Sequence, residues 1–278
     1  MHVVEFTLLI ALGSLVGGFL GSLTGLGGGV VIVPLLTLVF HVDIRYAIGA
    51  SLVSVIATSS GSAVAYLKEG FTNMRVGMFL EVATTVGALT GAYLATRTPT
   101  SLIAIIFGFV LIYSAYASIR KQPALVTNDP PDHLATMLRL DGNYPTPQGR
   151  QTYHVHNVPA GFSLMYVAGV LSGLLGIGSG AVKVLAMDQA MRIPFKVSTT
   201  TSNFMIGVTA AASAGMYLSR GYIDPTLAMP VMLGVLAGSL AGARLLAGAK
   251  VRTLRLVFSI VIGALAIEMI VKGFSGGI

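Results

Sequence analysis

Eight long apolar stretches, separated by short polar breaks, constrain the fold of this 278-residue chain more than any other feature. They cover approximately residues 6–40, 46–67, 76–96, 101–119, 160–191, 197–218, 227–247 and 254–272. Six of them contain 19 to 22 residues, the length of a helix that crosses a hydrocarbon core of about 30 Å once. Charged residues make up 10% of the chain, against about 25% in a soluble domain. We therefore expect an all-α integral membrane protein with about eight transmembrane segments.

Composition also excludes several classes of function. The net charge is +7, but the Lys and Arg residues are scattered between apolar runs, so nucleic-acid binding is not expected. The absence of cysteine excludes disulfides and thiolate chemistry. All five histidines lie outside the apolar stretches, and His154 and His156 fit a solvated strand better than a metal site. Neither a metal nor a cofactor is predicted.

An internal repeat relates the two halves of the chain. Shifting the sequence by 151 residues aligns residues 23–92 with residues 174–243 without a gap. Apolar composition alone would not match several glycines and hydroxyl residues in one register, so the pattern indicates a duplication. We assign a first transmembrane repeat to residues 1–120, a polar connector with a hairpin to residues 121–158, and a second repeat to residues 159–278. The identical pairs include Gly25/Gly176, Gly27/Gly178, Gly29/Gly180, Ser51/Ser202, Thr58/Thr209, Ser62/Ser213, Gly87/Gly238 and Gly91/Gly242.

Each of the two longest stretches is interrupted by glycines, at residues 25–29 and 176–180. Irregular backbone inside a membrane is tolerated where it lines a cavity. A half-helix that begins near Gly29 or Gly180 would direct unpaired N–H groups and the positive end of its dipole at an anion. The alternative is that the glycines only let helices pack closely. We predict that the backbone and side chains of the two breaks bind an anion, through Gly27, Gly28, Gly29, Gly178, Ser179 and Gly180.

The positions of the basic residues predict how the two repeats are oriented. If each broken stretch is a hairpin that returns to its starting side, twelve Lys and Arg residues share one side and Arg45, Arg97, Arg220 and Lys272 face the other. The positive-inside rule favours that arrangement. It predicts inverted repeats in a cell (inner) membrane, with both termini outside and the connector in the cytoplasm. Inverted repeats would bring the two breaks together near the midplane.

Polar side chains follow each break and could complete the site. One helix face in the first repeat carries Ser51, Ser54, Thr58 and Ser62. The corresponding hydroxyl stripe in the second repeat consists of Ser198, Thr201, Ser202, Thr209 and Ser213, with Asn203 on a neighbouring face, and it includes part of the cluster of residues 199–203. Hydroxyl groups in helices also bond back to carbonyls one turn earlier, which is the structural alternative. The residues that we expect to donate hydrogen bonds to the substrate are Ser51, Ser54, Thr200, Ser202 and Asn203.

Charges inside the apolar stretches are few. Lys183 lies three residues after the second break, and burying it costs roughly 2.5–3.5 kcal/mol, so it should face a cavity or a partner. Asp188 is a candidate partner or proton carrier. Glu81 is a weaker candidate for proton coupling, since it lies near the end of its stretch, where water could hydrate it.

Two motifs resemble those of a known family. The run from Gly21 to Pro34 (GSLTGLGGGVVIVP) resembles the opening motif of the TauE/SafE sulfite exporter family, also called sulfonate-uptake permeases. The run from Gly173 to Gly180 (GLLGIGSG), followed by Lys183-Val184, Lys196 and the sequence TTTSNF from Thr199, is similar to its second-half motif. Ser179 departs from the family pattern, which usually has glycine there. The resemblance implies an eight-span permease for sulfite, sulfonates or related organic anions.

We therefore expect a secondary transporter of a small anion, with export favoured, rather than an enzyme. Two alternatives stay open at this point. One is an intramembrane enzyme or lipid-processing protein that uses Ser179. The other is a membrane sensor or assembly partner that acts through the connector. The expected partners are the anionic substrate and the lipid bilayer, and a homodimer is a further hypothesis.

Overall fold

The computed structural model of the chain describes residues 3–22, 28–119, 132–146, 149–246 and 251–276. The predominantly helical fold predicted from the apolar stretches is confirmed, and most of the described residues of each stretch lie on helices. The first half contains α1 (Val3–Ser22), α2 (Gly29–Pro34), α3 (Ile44–Glu69), α4 (Met74–Ala95) and α5 (Thr100–Ile119). The connector contains α6 (His133–Met137), β1 (Gly142–Thr146) and β2 (Gly149–Tyr153). The second half contains α7 (Val158–Leu175), α8 (Gly180–Leu185), α9 (Phe195–Ser219), α10 (Pro225–Leu246) and α11 (Val251–Ser275).

Both short helices α2 and α8 continue into a π-helical segment, Leu35–Val39 and Ala186–Ala190. The two segments stand 151 residues apart, so the duplication extends to this uncommon local structure. A short helix with its π-helical segment is roughly 16 Å long at 1.5 Å per residue, about half of a membrane crossing.

The described helices on the two sides of each break return the chain to the end from which it started. In the second half, the His156 N–H before α7 donates to the Met191 carbonyl oxygen after the π-helical segment, at 3.1 Å. In the first half, the rings of Phe6 and Phe40 pack edge to face with centroids 6.0 Å apart. These contacts match the hairpin alternative considered for the broken stretches.

The helix packing follows the same 151-residue relation as the sequence. Helix α1 packs along α10, and α7 packs along α4. Gly18 of α1 lies so close to Val235 that a Cβ would overlap the Val235 carbonyl oxygen, and Gly169 of α7 meets Thr84 in the same way. Gly169 is the 151-residue counterpart of Gly18, and Thr84 is that of Val235. Each half therefore contributes one helix to the other half's packing.

The remaining long helices pair across the halves in opposite directions. Gly49 near the start of α3 contacts Tyr222 just after α9. Ser259 near the start of α11 donates to the Ala115 carbonyl oxygen near the end of α5, at 3.1 Å. α3 runs antiparallel to α9, and α5 runs antiparallel to α11.

The connector packs against the helices through apolar side chains. Its antiparallel hairpin pairs Gly142 with Tyr153 and Thr146 with Gly149, whereas the sequence suggested strands over residues 138–144 and 151–155. Leu140 and Tyr153 are buried in one core cluster with Val76 and Met187. The described part of the connector is thus docked on the bundle and is less solvated than its polar composition suggests. Its residues 121–131 lie outside the described residues.

Apolar side chains also form stripes on the outside of the bundle. Within the described residues, three helical segments are long and apolar enough to cross a membrane, namely Met74–Ala95, Val158–Leu175 and Pro225–Gly242, and shorter apolar helices accompany them. Residues four apart share one helix face, so these exposed side chains make continuous surfaces suited to lipid. The stripes are Leu8, Leu12 and Val16 on α1, and Met78, Val82 and Val86 on α4.

Candidate functional site

The two glycine breaks meet inside the bundle. Helices α2 and α8 begin at Gly29 and Gly180, where the sequence predicted half-helices to start. Ser51 Oγ donates to the Gly176 carbonyl oxygen at 2.8 Å, and so joins the helix after the first break to the second break. A Cβ on Gly29 would lie 3.0 Å from that same oxygen, so the close approach requires glycine there.

Left-handed backbone turns the chain from α7 into α8. Gly176 and Gly178 have φ values of 68° and 69°, which glycine adopts without steric cost. Ser179 has a φ of 47°, and a non-glycine residue in that region is strained by about 1–3 kcal/mol. Such outliers cluster at ligand sites, which makes Ser179 a candidate binding residue.

The Ser179 side chain is buried against a small internal cavity. It is 3% exposed, and its hydroxyl has no hydrogen-bond partner among the described residues. The cavity measures about 10 Å³, enough for about one water molecule. An organic anion would fit in this cavity only if the helices moved apart, and in this sense we refer to the arrangement as closed. The lining residues are Val30, Val110, Ser114, Ile177, Ser179, Gly180 and Val182.

A chain of three polar side chains links the two halves beside the second break. Lys183 of α8 is fully buried, and its Nζ donates to Thr209 Oγ1 of α9 at 2.6 Å. Thr209 Oγ1 lies 2.7 Å from Glu81 Oε1 of α4, to which it can donate in turn. Thr85 Oγ1 also donates to Glu81 Oε1, at 3.1 Å. We call Lys183, Thr209 and Glu81 the buried triad.

The triad brings two opposite charges into a region with little water. A lone buried ammonium or carboxylate costs several kcal/mol, and a paired one costs less because the charges attract each other. Glu81 is 8% exposed, and its Oε2 has no hydrogen-bond partner in the part of the chain that the structure describes. The carboxylate therefore keeps one oxygen available for a proton or a ligand.

Several other predicted site residues lie around the same junction. Ser202 Oγ lies 3.4 Å from the Gly180 carbonyl oxygen. Ser54 Oγ donates to the Ser51 carbonyl oxygen at 2.7 Å, and Thr200 Oγ1 donates to the Lys196 carbonyl oxygen at 3.0 Å. Ser54 and Thr200 thus make the helix back-bonds that were the structural alternative.

The remaining predicted residues take varied positions. Gly28 caps α2 and packs on Val235, and Asn203 is half-buried on α9. Asp188 is buried in the second π-helical segment. The described contacts join Lys183 to Thr209 and Glu81, where the sequence had suggested Asp188 as a partner. Gly27 lies outside the described residues.

Two features of the site were missed at the sequence level. Glu81 was expected to be near water at a helix end, but it is buried and contacts Thr209 of α9. Thr209 was placed in the hydroxyl stripe but not in the site, and its 151-residue match to Thr58 gave no sign of a charged neighbour. Only the helix packing brings residues 81, 183 and 209 together.

Comparison with known proteins decides the family. The family model described as Sulfite exporter TauE/SafE matches residues 9–269. The chain belongs to the TauE/SafE family. Among its relatives, the probable membrane transporter protein YunE of Bacillus subtilis is 29% identical over 276 residues, covering 97% of this chain and 98% of the relative. YdhB of the same organism, also a probable membrane transporter, is 27% identical over 85% of this chain and 89% of its own length. No solved structure matches the chain.

Membership of the TauE/SafE family identifies a multi-pass membrane transporter rather than an enzyme. This removes the intramembrane enzyme from the alternatives. The resemblance seen in the two glycine motifs is confirmed, since the family match includes both breaks. Their junction is accordingly the region in which a transport site is sought.

Proposed function

We propose that this TauE/SafE protein carries a small anion, such as sulfite, a sulfonate or a related organosulfur anion, through a site between the two breaks. One observation carries the proposal. The six-residue helix α8 places a fully buried cation, Lys183, one turn from an unpartnered buried hydroxyl, Ser179, where the breaks meet. An ammonium, neutral hydroxyls and uncapped backbone N–H groups all favour a negative ligand.

The binding residues follow from this placement. Backbone N–H groups at Gly27, Gly28 and Gly29, and at Gly178, Ser179 and Gly180, would hold the anion's oxygens. In the closed conformation Ser51 and Ser202 bond to carbonyl groups of the breaks, and those hydroxyls would turn to the anion when the junction opens. Ser54, Thr200 and Asn203 would line the path beside them. Lys183 would balance the charge.

We further propose that the bundle consists of two inverted repeats with about eight transmembrane segments in a cell (inner) membrane. Three observations support it: the broken hairpins return to their starting ends, α3 and α9 run antiparallel, and most basic residues then share one side. That side would be cytoplasmic and would include the connector, and both termini would be outside. A homodimer remains a proposal that mass photometry of the solubilised protein tests.

Export is the proposed direction for a monoanion that moves alone. A membrane potential of about 150 mV, negative inside, favours its outward movement by roughly 3.5 kcal/mol. Uptake would require a co-transported cation.

Counterflow in proteoliposomes tests the transport function. Vesicles preloaded with unlabelled sulfite, sulfoacetate or taurine are given the labelled compound outside, and we expect transient accumulation of at least one of them. Lys183→Met should abolish accumulation, whereas Lys272→Met, at the half-exposed end of α11, should preserve it. The proposal is wrong if Lys183→Met transports as the wild type does.

A second candidate role, as a sensor or assembly partner, is favoured by the docking of the connector hairpin. Asn143 and Arg150 are exposed on that hairpin and available to a partner. If the role exists, replacing both with Ala should abolish the signal or the assembly and leave counterflow intact. Signalling that survives the double substitution would argue against it.

A further inference from the structure

We infer that the buried triad couples anion binding to proton binding, with Glu81 as the residue that takes up the proton. The inference rests on the proposed function, because it concerns the anion site beside Lys183. It adds a second ligand, the proton, and assigns it to one atom.

The contacts of the buried triad are suited to coupling of this kind. Lys183 and Glu81 belong to different halves of the chain and are joined only through the Thr209 hydroxyl in the described contacts, by bonds of 2.6 and 2.7 Å. Glu81 Oε1 accepts from Thr209 and Thr85, while Oε2 is buried and accepts from no described group. A proton on Oε2 would therefore break none of the observed bonds.

Few other charges surround the triad. Helix α7 has no Asp, Glu, Lys, Arg or His along its length. α4 and α9 carry Arg75 and Lys196 in their first turns, away from the triad, and Asp188 lies five residues beyond Lys183. The tyrosines of these helices are Tyr93, Tyr166 and Tyr217, whose phenol groups can donate or accept hydrogen bonds. Glu81 is thus the acidic group that directly balances Lys183.

Charge balance then links the two ligands. Without substrate, the ammonium and the carboxylate sum to zero. A bound monoanion would leave a net negative charge in a poorly hydrated region, which is unfavourable. One proton from water on Glu81 Oε2 restores neutrality and frees Lys183 to pair with the anion. Thr209 can then donate to the Met205 carbonyl oxygen, 2.9 Å away. One proton binds and no covalent bond other than O–H forms.

The coupling changes how the membrane potential affects the direction of transport. A proton that travels with a monoanion cancels its charge, so direction would follow the anion and proton gradients. For a dianion, one negative charge would still move, and the potential would still favour export.

Proton uptake on binding tests the inference directly. Methanesulfonate, a monoanion without a titratable group near neutral pH, is added to the solubilised full-length protein in weak buffer with a pH indicator. We expect alkalinisation equal to about one proton per bound anion. Glu81→Gln should bind methanesulfonate without proton uptake. Glu268→Gln, which changes a half-exposed carboxylate on α11, should behave as the wild type does.

The pH dependence of affinity gives a second readout, and we expect it in the wild type but not in Glu81→Gln. Above the pH at which Glu81 is deprotonated in the empty protein, the Kd for methanesulfonate should rise about tenfold per pH unit. It should be flat for Glu81→Gln. Wild-type binding without proton uptake, or equal uptake by Glu81→Gln, would overturn the inference and leave the transport proposal standing. Failure of the wild type to bind methanesulfonate, sulfite or sulfoacetate would overturn both.

Discussion

The first and second breaks share one backbone plan and differ in chemistry. Each is followed by a short helix and a π-helical segment that bring the chain back to its starting end. The 151-residue counterpart of Lys183 is Ile32, and that of Glu81 is Met232. Ile32 is fully buried in the apolar core. The comparison teaches that the fold requires neither charge, since the same backbone forms around an isoleucine. Lys183 beside the second break and its partner Glu81 on α4 are therefore candidates for a role other than architecture.

The threonines show how the difference arises. Thr58 and Thr209 each have a hydroxyl oxygen within hydrogen-bond distance of a carbonyl oxygen one turn earlier, at 3.0 and 2.9 Å. Only Thr209 also bridges a cation and a carboxylate. The back-bond explains why the residue type suits both helices, and the bridge gives the second copy its added role.

Replacing both charges of the triad with their 151-residue counterparts should have the largest effect. The double change Lys183→Ile with Glu81→Met should abolish counterflow while the protein stays folded, because replacing a buried ion pair with apolar groups is often neutral or stabilising. Lys183→Ile alone should lose about 3–5 kcal/mol of stability, because it leaves Glu81 unbalanced. Thermal unfolding in detergent and counterflow measure the two effects. Transport by the double variant would show that the charges are dispensable.

Separating the two breaks should have the next largest effect. In Gly29→Ala, the new Cβ would lie 2.7 Å from Ser51 Oγ and 3.0 Å from the Gly176 carbonyl oxygen, so we expect a loss of about 1–3 kcal/mol and impaired transport. Gly215→Ala on α9 is the matched control, since nothing lies within 4 Å of its Cβ position. Equal melting temperatures of the two variants would contradict the tight junction.

Weakening the contacts between the connector and the helices should destabilise the region of the second break more than that of the first. Asn73 caps α4, donates to the Leu140 carbonyl oxygen at 2.9 Å and to Tyr153 Oη at 2.7 Å, and its N–H donates to Thr201 Oγ1 at 3.0 Å. Burial raises the pKa of Tyr153 to about 12, so its hydroxyl is neutral at physiological pH. Asn73→Ala should cost about 1–2 kcal/mol.

Hydrogen exchange locates that effect. Exchange in Asn73→Ala should rise in residues 186–191, whose apolar side chains share a buried cluster with Leu140 and Tyr153 of the connector, and stay unchanged in residues 29–39. Asn143→Ala, on the exposed face of the same hairpin, should change neither. A uniform rise in both breaks would mean that the connector supports the whole bundle.

The smallest expected effect concerns Ser179, a position at which the described backbone of the two breaks differs. Gly28 has a φ of −64°, while its counterpart Ser179 has a φ of 47°. Ser179→Gly should relieve about 1 kcal/mol of strain. It should also weaken anion binding by about 2- to 10-fold, since one hydrogen bond to the anion is lost. Stability and counterflow KM are the readouts. An unchanged KM would remove Ser179 from the site.

Sequence patterns predicted the local features well, because these depend on neighbouring residues. The helix from residue 74 to 95 matches the apolar stretch 76–96, and the half-helices start at the predicted glycines Gly29 and Gly180. The buried triad was not predictable from one sequence, because residues 81, 183 and 209 are far apart in the chain and meet only when α4 packs on α9. The docking of the connector was missed for a related reason. The polar composition of this segment gave no indication that its apolar residues Ala135, Leu140, Tyr153 and Val155 are buried against the helices.

The pairing of α1 with α10 has a consequence for biosynthesis. The ribosome completes α1 more than 200 residues before α10. At 5–20 residues per second, the interval is roughly 10–40 s. During this time the glycine surface around Gly18 lacks its native neighbour. The newly made amino-terminal half must wait in the bilayer with that face covered by lipid or by the insertion machinery, and a chain truncated before residue 225 should be a target for membrane quality control.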